Sequence, residues 1–359
     1  MSDGSRRKRE VTVADVAREA GVGKATAARA LGNYGAVSES VRDRVLAAAE
    51  RLDYRPNELA RSMNTGKSKT IGVIVGDIEN GYFGLATRGI SDAVTGAGYD
   101  VVLINTSEDV QAEEDAVRVL LDKRVDGMIV APASLFETQH LRDVHASGRP
   151  LVLLDRRIDD LPVPSVGVAI AAAAEQAAAA LVAAGHRRIA FVTALAHPGE
   201  WTPGEPLRVS SVTERLAGIA AALISAGIAP DRELIAFGAN GLDATGAILD
   251  DLLALAEPPT AILASDSLIA LDLLRAGRAR GLRIPEDLSF VMFDDFPWAE
   301  LIDPPLSVVA QPIYEVGLAA GRMLLRLLSG QQETGAEVLD ASFVARESVG
   351  PVRAQGGAT

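Results

Sequence analysis

The stretch VTVADVAREAGVGKATAARALGNYGAVSESVRDRVLAAAERLDY, Val11 to Tyr54, decides how the amino-terminal part of the chain folds. Its apolar residues recur at helical spacing, and no run in it reads as a strand. A first helix spans about Val13 to Ala20 and stops at Gly21, which can take the left-handed conformation that closes a helix. Gly21-Val22-Gly23 is a three-residue turn into a second helix, about Lys24 to Leu31. Ser38 can cap a third, on which Val41, Val45, Leu46, Ala49 and Leu52 share one face. Two short helices joined by a glycine turn, with a third closing their core, make a helix-turn-helix unit.

Beyond it lies RPNELARSMNTGKSKT, Arg55 to Thr70. Pro56 interrupts the third helix, and Asn57 can cap a short helix from Glu58 to about Asn64. Two turns are marginal alone in water, so this segment needs a partner surface to become helical. Gly66 to Lys69 is a flexible remainder.

After Thr70 short apolar runs alternate with amphipathic stretches. Ile71 to Val75, Val101 to Ile104, Gly127 to Val130 and Leu151 to Leu154 read as buried parallel strands. A second series lies near Ile189 to Thr193, Leu234 to Phe237, Ala261 to Ala264 and Leu288 to Met292. Two consecutive series predict two doubly wound α/β lobes, whose ligand sites lie at the carboxyl ends of the strands. The cleft between the lobes is the natural site.

Composition narrows the function. Of 359 residues 48% are hydrophobic and 23% charged, as in a soluble globular protein. There is no cysteine and there are only four histidines, which excludes disulfides and thiolate chemistry and argues against a metal centre; no cofactor is expected. The run Arg6 to Arg9 does not open a signal peptide, because Asp15, Arg18 and Glu19 break the apolar stretch that a signal peptide requires, so the chain is expected in the cytoplasm. Ala169 to Ala184 contains Glu175 and is too short for a membrane span; it reads as a buried helix. The net charge of −13 is split: residues 1–70 hold 14 Lys and Arg against 9 Asp and Glu, while the rest hold 21 against 39. A basic head on an acidic body points to a polyanion as the head's partner.

Val11 to Val75 resembles the amino terminus of LacI/GalR-type transcriptional regulators. Further matches occur in order: NGYF at Asn80, DGMIV at Asp126, LLDRR at Leu153, GHRRIAFV at Gly185, RLAG at Arg215, LRIPEDLSFVMFDD at Leu282 and PPLSVVAQP at Pro304. The resemblance implies an all-α helix-turn-helix domain followed by a periplasmic-binding-protein-like core of two parallel-sheet lobes. It also implies a homodimer bound to a pseudo-palindromic operator in double-stranded DNA, controlled by a small effector such as a sugar or nucleobase. The expected divisions are a basic arm, 1–10; the head, 11–55; hinge helix and linker, 56–69; the core, 70–348; and a flexible tail, 349–359. Within the core the first lobe takes about 70–167 plus 297–330, and the second about 168–296 plus 331–348.

In this geometry the second helix enters the major groove. Lys24 and Ala25 occupy the family's main reading positions, with Arg29 one turn on; a Lys or Arg donates to guanine and an Ala methyl meets a thymine methyl. Thr12, Val13, Thr26, Ser38, Tyr54, Asn57 and Arg61 complete the DNA-facing set, mostly toward phosphate and sugar. Gly23, Ala27 and Ala28 stand where the family often has Ser, Val and Ser, which removes hydroxyls that would hold phosphates. Solvated helix charges are the competing reading of Lys24 and Arg29. Met63 stands where the family commonly wedges a Leu into the central base step; burial between paired hinge helices is its alternative.

For the cleft, the resemblance assigns Arg215, Asp294 and Asp155 as polar effector contacts, Tyr82 and Phe83 as an aromatic wall, and Asp266 and Gln311 as further polar groups. Ser211 lies four residues before Arg215, on the same helix face if the helix reaches it. Asp155 as a turn former, Phe83 as core and an Arg215–Asp294 structural ion pair stay open. Val168 and Ala169 replace an Asp-Asn pair common in the family, and His197 to Ser211 forms an unusual Pro- and Gly-rich rim. Three other functions compete. An enzyme lacks any nucleophile-and-base set; a secreted sugar-binding protein would not need the head; a regulator answering to a partner protein stays open.

Overall fold

The computed structural model describes residues 11–32, 34–54, 66–197, 201–202 and 204–352. The chain divides into two compact units between Lys69 and Thr70.

Among its described residues the first unit holds three helices, α1 Val13–Ala20, α2 Lys24–Gly32 and α3 Glu39–Arg51. Gly21 adopts φ 65° and ψ 39°, and the next amide, Val22, returns to the Ala17 carbonyl at 3.0 Å, so the left-handed stop takes the expected place. At the other end the Asp15 carboxylate accepts from the Thr12 amide at 3.0 Å and the Thr12 hydroxyl at 2.7 Å. The core is mostly small: Val16, Ala17, Ala20, Ala27, Ala30, Val45, Ala48 and Ala49. Two expectations need correction. Leu46 is 48% exposed, because the buried face of α3 centres on Val45, Ala48 and Ala49 and the helical turn carries Leu46 off it. Ser38 sits at the start of α3, but its carbonyl accepts the first amides while its hydroxyl, 3.5 Å from that of Ser40, makes no cap.

The second unit contains two lobes. The first begins β1 Thr70–Val75, α4 Gly81–Thr95, β2 Asp100–Asn105, α5 Val110–Asp122, β3 Gly127–Val130, α6 Gln139–Ala146, β4 Leu151–Leu154 and β5 Ser165–Ala169. The second runs α7 Ile170–Ala183, β6 Ile189–Val192, α8 Ser210–Ser225, β7 Ile235–Ala236, α9 Gly241–Leu253, β8 Ala261–Ala264, α10 Ser267–Ala279, β9 Ser289–Phe293, α11 Trp298–Leu301 and β10 Ser307–Ala310. The chain then returns with α12 Ile313–Leu328 and β11 Ala336–Asp340 to the first lobe, and ends with β12 Ser342–Val344 in the second.

Each lobe has a six-stranded sheet, ordered β11-β5-β4-β3-β1-β2 and β12-β10-β9-β8-β6-β7. Every pairing is parallel except that of β12 with β10. The pairing corrects the lobe divisions read from sequence. β10, assigned with 297–330 to the first lobe, pairs with β9 in the second sheet; β11, assigned with 331–348 to the second lobe, pairs with β5 in the first. β11 is an exposed edge strand with no apolar alternation to announce it. The crossings between lobes therefore lie at Ala169–Ile170, at residues 311–312 and at Ala341.

Helix pairs back both sheets. In α12 a Cβ on Gly317 would overlap the Ala86 carbonyl of α4, so the two helices meet backbone to backbone. The Ala-rich α7 buries Ala173, Ala174, Ala177, Ala178 and Leu181 against the second lobe. Among the described residues no helix is long and apolar enough to cross a membrane.

Candidate functional site

On α2, Lys24, Ala25 and Arg29 are exposed while Ala27 and Ala30 are buried, so the residues expected to read bases form the outer face of the helix. Thr12 and Ser38 are exposed, and Val13, Thr26 and Tyr54 half-buried. Asn57, Arg61 and Met63 lie outside the described residues.

In the second unit the candidate effector residues converge from both lobes on the carboxyl ends of the strands. Asp155 follows β4 and Asp294 follows β9, with φ of 64° and 74°. Non-glycine residues seldom hold this left-handed conformation, and here it occurs at both carboxylates. Asp266 begins α10, where its Oδ1 accepts the Leu268 and Ile269 amides at 2.9 and 3.0 Å. Gln311, in a hinge crossing, donates through Nε2 to Asp294 Oδ1 at 2.5 Å. Ser211 and Arg215 share a face of α8, and the Ser211 hydroxyl donates to Asp155 Oδ2 at 3.1 Å across the lobes.

Arg215 carries the most information. It is 7% exposed, its guanidinium lies 4.9 Å above the Phe293 ring, and among the described residues it makes no hydrogen bond or ion pair, with Nε orphaned. The structural ion pair with Asp294 is thus absent. A buried guanidinium without acceptors is costly unless something else supplies them. The Tyr82 hydroxyl is likewise buried; burial, and then the adjacent Asp155 carboxylate, hold its pKa well above the ordinary tyrosine value. Burial raises the Asp294 pKa to about 7, against the lowering influence of Arg215 and Gln311 and with Asp266 and Asp155 adding to the rise. Asp266 is raised too, by burial first, with its helix amides and Arg215 opposing. Tyr82, Asp155, Asp266, Asp294 and Arg215 are therefore close enough to sense one another's charge. Phe83 packs in the first-lobe core, edge-on to Tyr82 at 5.4 Å between ring centres, which favours the core reading for it.

Two features were not legible in the sequence. Arg156, buried, clamps Glu108 with two bonds of 2.6 and 2.7 Å; burial opposes its charge, but Glu108 and then Asp155 and Glu113 hold its pKa above the ordinary arginine value. The end of the unusual rim, Arg208 to Ser211, crosses from the second lobe to the first. The Leu135 amide donates to the Arg208 carbonyl at 2.8 Å, Arg208 Nη1 to the Glu108 carbonyl at 3.2 Å, and the Arg157 amide to Ser210 Oγ at 3.3 Å. Only the loop's Pro and Gly content marked it. Trp201 is buried in the second-lobe core, with its indole N–H on the Glu205 carbonyl.

Residues 12–57 match the family described as bacterial regulatory proteins, lacI family, and residues 178–349 match the periplasmic binding protein-like domain. Catabolite control protein A of Priestia megaterium is 33% identical over 334 residues, spanning 93% of this chain and 96% of that protein. This chain belongs to the lacI family. Its fold is likewise shared with the lac repressor dimer bound to operator and the anti-inducer ONPF, at 27% identity and a TM-score of 0.77 over 95% of this chain and 100% of that one. The transcriptional regulator CelR in complex with cellobiose is similar at 27% identity and a TM-score of 0.68, over 94% and 100%. Members of this lacI family are DNA-binding transcriptional regulators, not enzymes, and this chain has both of their parts.

Proposed function

We propose that this lacI-family regulator is a repressor that binds a pseudo-palindromic operator as a homodimer and is switched by a neutral, polyhydroxylated effector, a sugar or glycoside, held between its lobes. The observation that carries the effector reading is the buried Arg215, unpartnered among the described residues, beside Asp155, Asp266, Asp294 and the buried Tyr82 hydroxyl. Hydroxyls can accept from the guanidinium and from Tyr82 and donate to the carboxylates at once. An anionic ligand would meet three acids for one free guanidinium. Cellobiose in the complex of the similar CelR supports the same class.

The switch is a change in lobe angle at the three crossings, which alters the spacing of the two heads on their half-sites. Lys24 and Arg29 read bases, Thr12, Val13, Thr26, Ser38, Tyr54, Asn57 and Arg61 hold the backbone, and Met63 wedges the central step. Binding of a duplex selected by the protein, at fixed salt, is measured against a panel of sugars and nucleobases. A response to a neutral sugar that Arg215→Met abolishes supports the reading. No response across the panel refutes it, and a response to nucleobases alone replaces the sugar.

A further inference from the structure

The outer face of α2 does not end with the helix. Lys24, Ala28 and Gly32 stand four residues apart and form one stripe, flanked by Ala25 and Arg29. At the carboxyl end of that stripe the side chain is missing, and the Tyr34 ring takes its place. A Cβ on Gly32 would overlap Tyr34 Cε1 and lie 2.6 Å from Cδ1, so the ring rests directly on the Gly32 backbone. The Tyr34 amide donates to the Arg29 carbonyl at 3.2 Å, which ties the ring's position to the last turn. Gly35, at φ 71°, then brings the chain against the Arg29 stem: a Cβ there would meet Arg29 Cδ at 3.3 Å. Two small residues thus seat two large side chains on one face.

Tyr34 is 49% exposed, and its hydroxyl has no hydrogen-bond partner among the described residues. An aromatic held in the open at a fixed site, rather than folded into the small alanine core, presents an apolar ring and a polar tip that a partner surface can use. The stripe it extends carries no hydroxyl of its own, since Ala25, Ala28 and Gly32 have none. We propose that Tyr34 is a DNA contact: its ring lies along the sugar edge beyond the bases met by Lys24 and Arg29, and its hydroxyl donates to a phosphate oxygen. Amino-terminal residues of a recognition helix meet base edges, so its carboxyl end leads to the backbone, and phosphate contacts of this kind set register without reading sequence. Tyr34 then adds a phosphate-holding hydroxyl at the carboxyl end of α2, beyond that of Thr26. The inference rests on the reading of α2 as the helix in the groove.

The test uses the full-length protein and duplexes that it selects from a random pool. Tyr34→Phe removes the donor alone and should weaken binding roughly tenfold, the loss of one hydrogen bond to a charged oxygen. Tyr34→Ala should weaken it further, by about thirtyfold or more, since ring contact goes too. Selected sequences and the dependence of affinity on salt should stay as in the parent protein, because no base reader and no cation is lost. Gly32→Ala should displace the ring and match Tyr34→Ala, yet cost nothing further when combined with it. Helix content followed by circular dichroism checks that each head is folded; Tyr34→Phe keeps the ring and its packing. Affinities of Tyr34→Phe and Tyr34→Ala within twofold of the parent overturn the proposal. A changed sequence preference overturns the phosphate assignment, and an additive loss in the double variant overturns the seating on Gly32. If the parent protein selects no sequence at all, the reading of α2 fails first and takes this inference with it.

Discussion

Asp294 offers a quantitative test of the cleft's electrostatics. It is 1% exposed, and burial lifts its pKa from 3.8 to about 7, a difference worth about 4 kcal/mol between its two protonation states. An acid whose folded pKa exceeds its unfolded value favours folding only while protonated. Its contribution is full below the unfolded pKa, declines as pH rises from about 4 to about 7, and is flat above that. Asp294→Asn keeps the acceptor for Gln311, tolerates the left-handed backbone and cannot ionise. The variant should therefore match the parent near pH 4 and exceed it by as much as ~4 kcal/mol at pH 8. Urea denaturation of both proteins at several pH values measures this, and taking the difference cancels the titrating groups that do not feel the Asp294 charge. A difference that does not change with pH, or a variant less stable at pH 8, refutes the argument. The same logic predicts that hydroxyls donating to Asp294 release its proton on binding, so effector affinity should rise with pH through 7.

Three further outcomes rest on named contacts. Lys24→Ala should relax base preference by about 2 kcal/mol at one position of each half-site; identical preference across operator variants would rule out base reading by Lys24. Met63→Ala should weaken operator binding and reduce DNA bending, read by the migration of permuted duplexes, and unaltered bending refutes the wedge. Gly317→Ala must push α12 off the Ala86 carbonyl of α4 and should lower stability by ~2–3 kcal/mol in urea denaturation, whereas an unchanged midpoint would mean that the helices part freely.

What the amino-acid sequence determined by itself is local. Helical periodicity, the stop at Gly21 and the buried apolar runs depend on neighbours a few residues away, so the head and the central strands of both lobes are written in short windows. The resemblance placed Tyr82, Asp155, Arg215, Asp266 and Asp294 in one cleft, but not the state of their bonds. Tertiary structure alone decided that Arg215 lies over Phe293 with no ion pair among the described residues, that Ser211 reaches Asp155 across the lobes and that β10 and β11 exchange the sheets assigned to them. These outcomes turn on contacts between residues far apart in the chain, on which side of a hinge a short strand finds an unpaired edge, and on burial. No window of local pattern carries that information. Tyr34 shows the same division: its residue type is visible in the sequence, but its place on the outer face of α2 exists only because Gly32 leaves room for the ring.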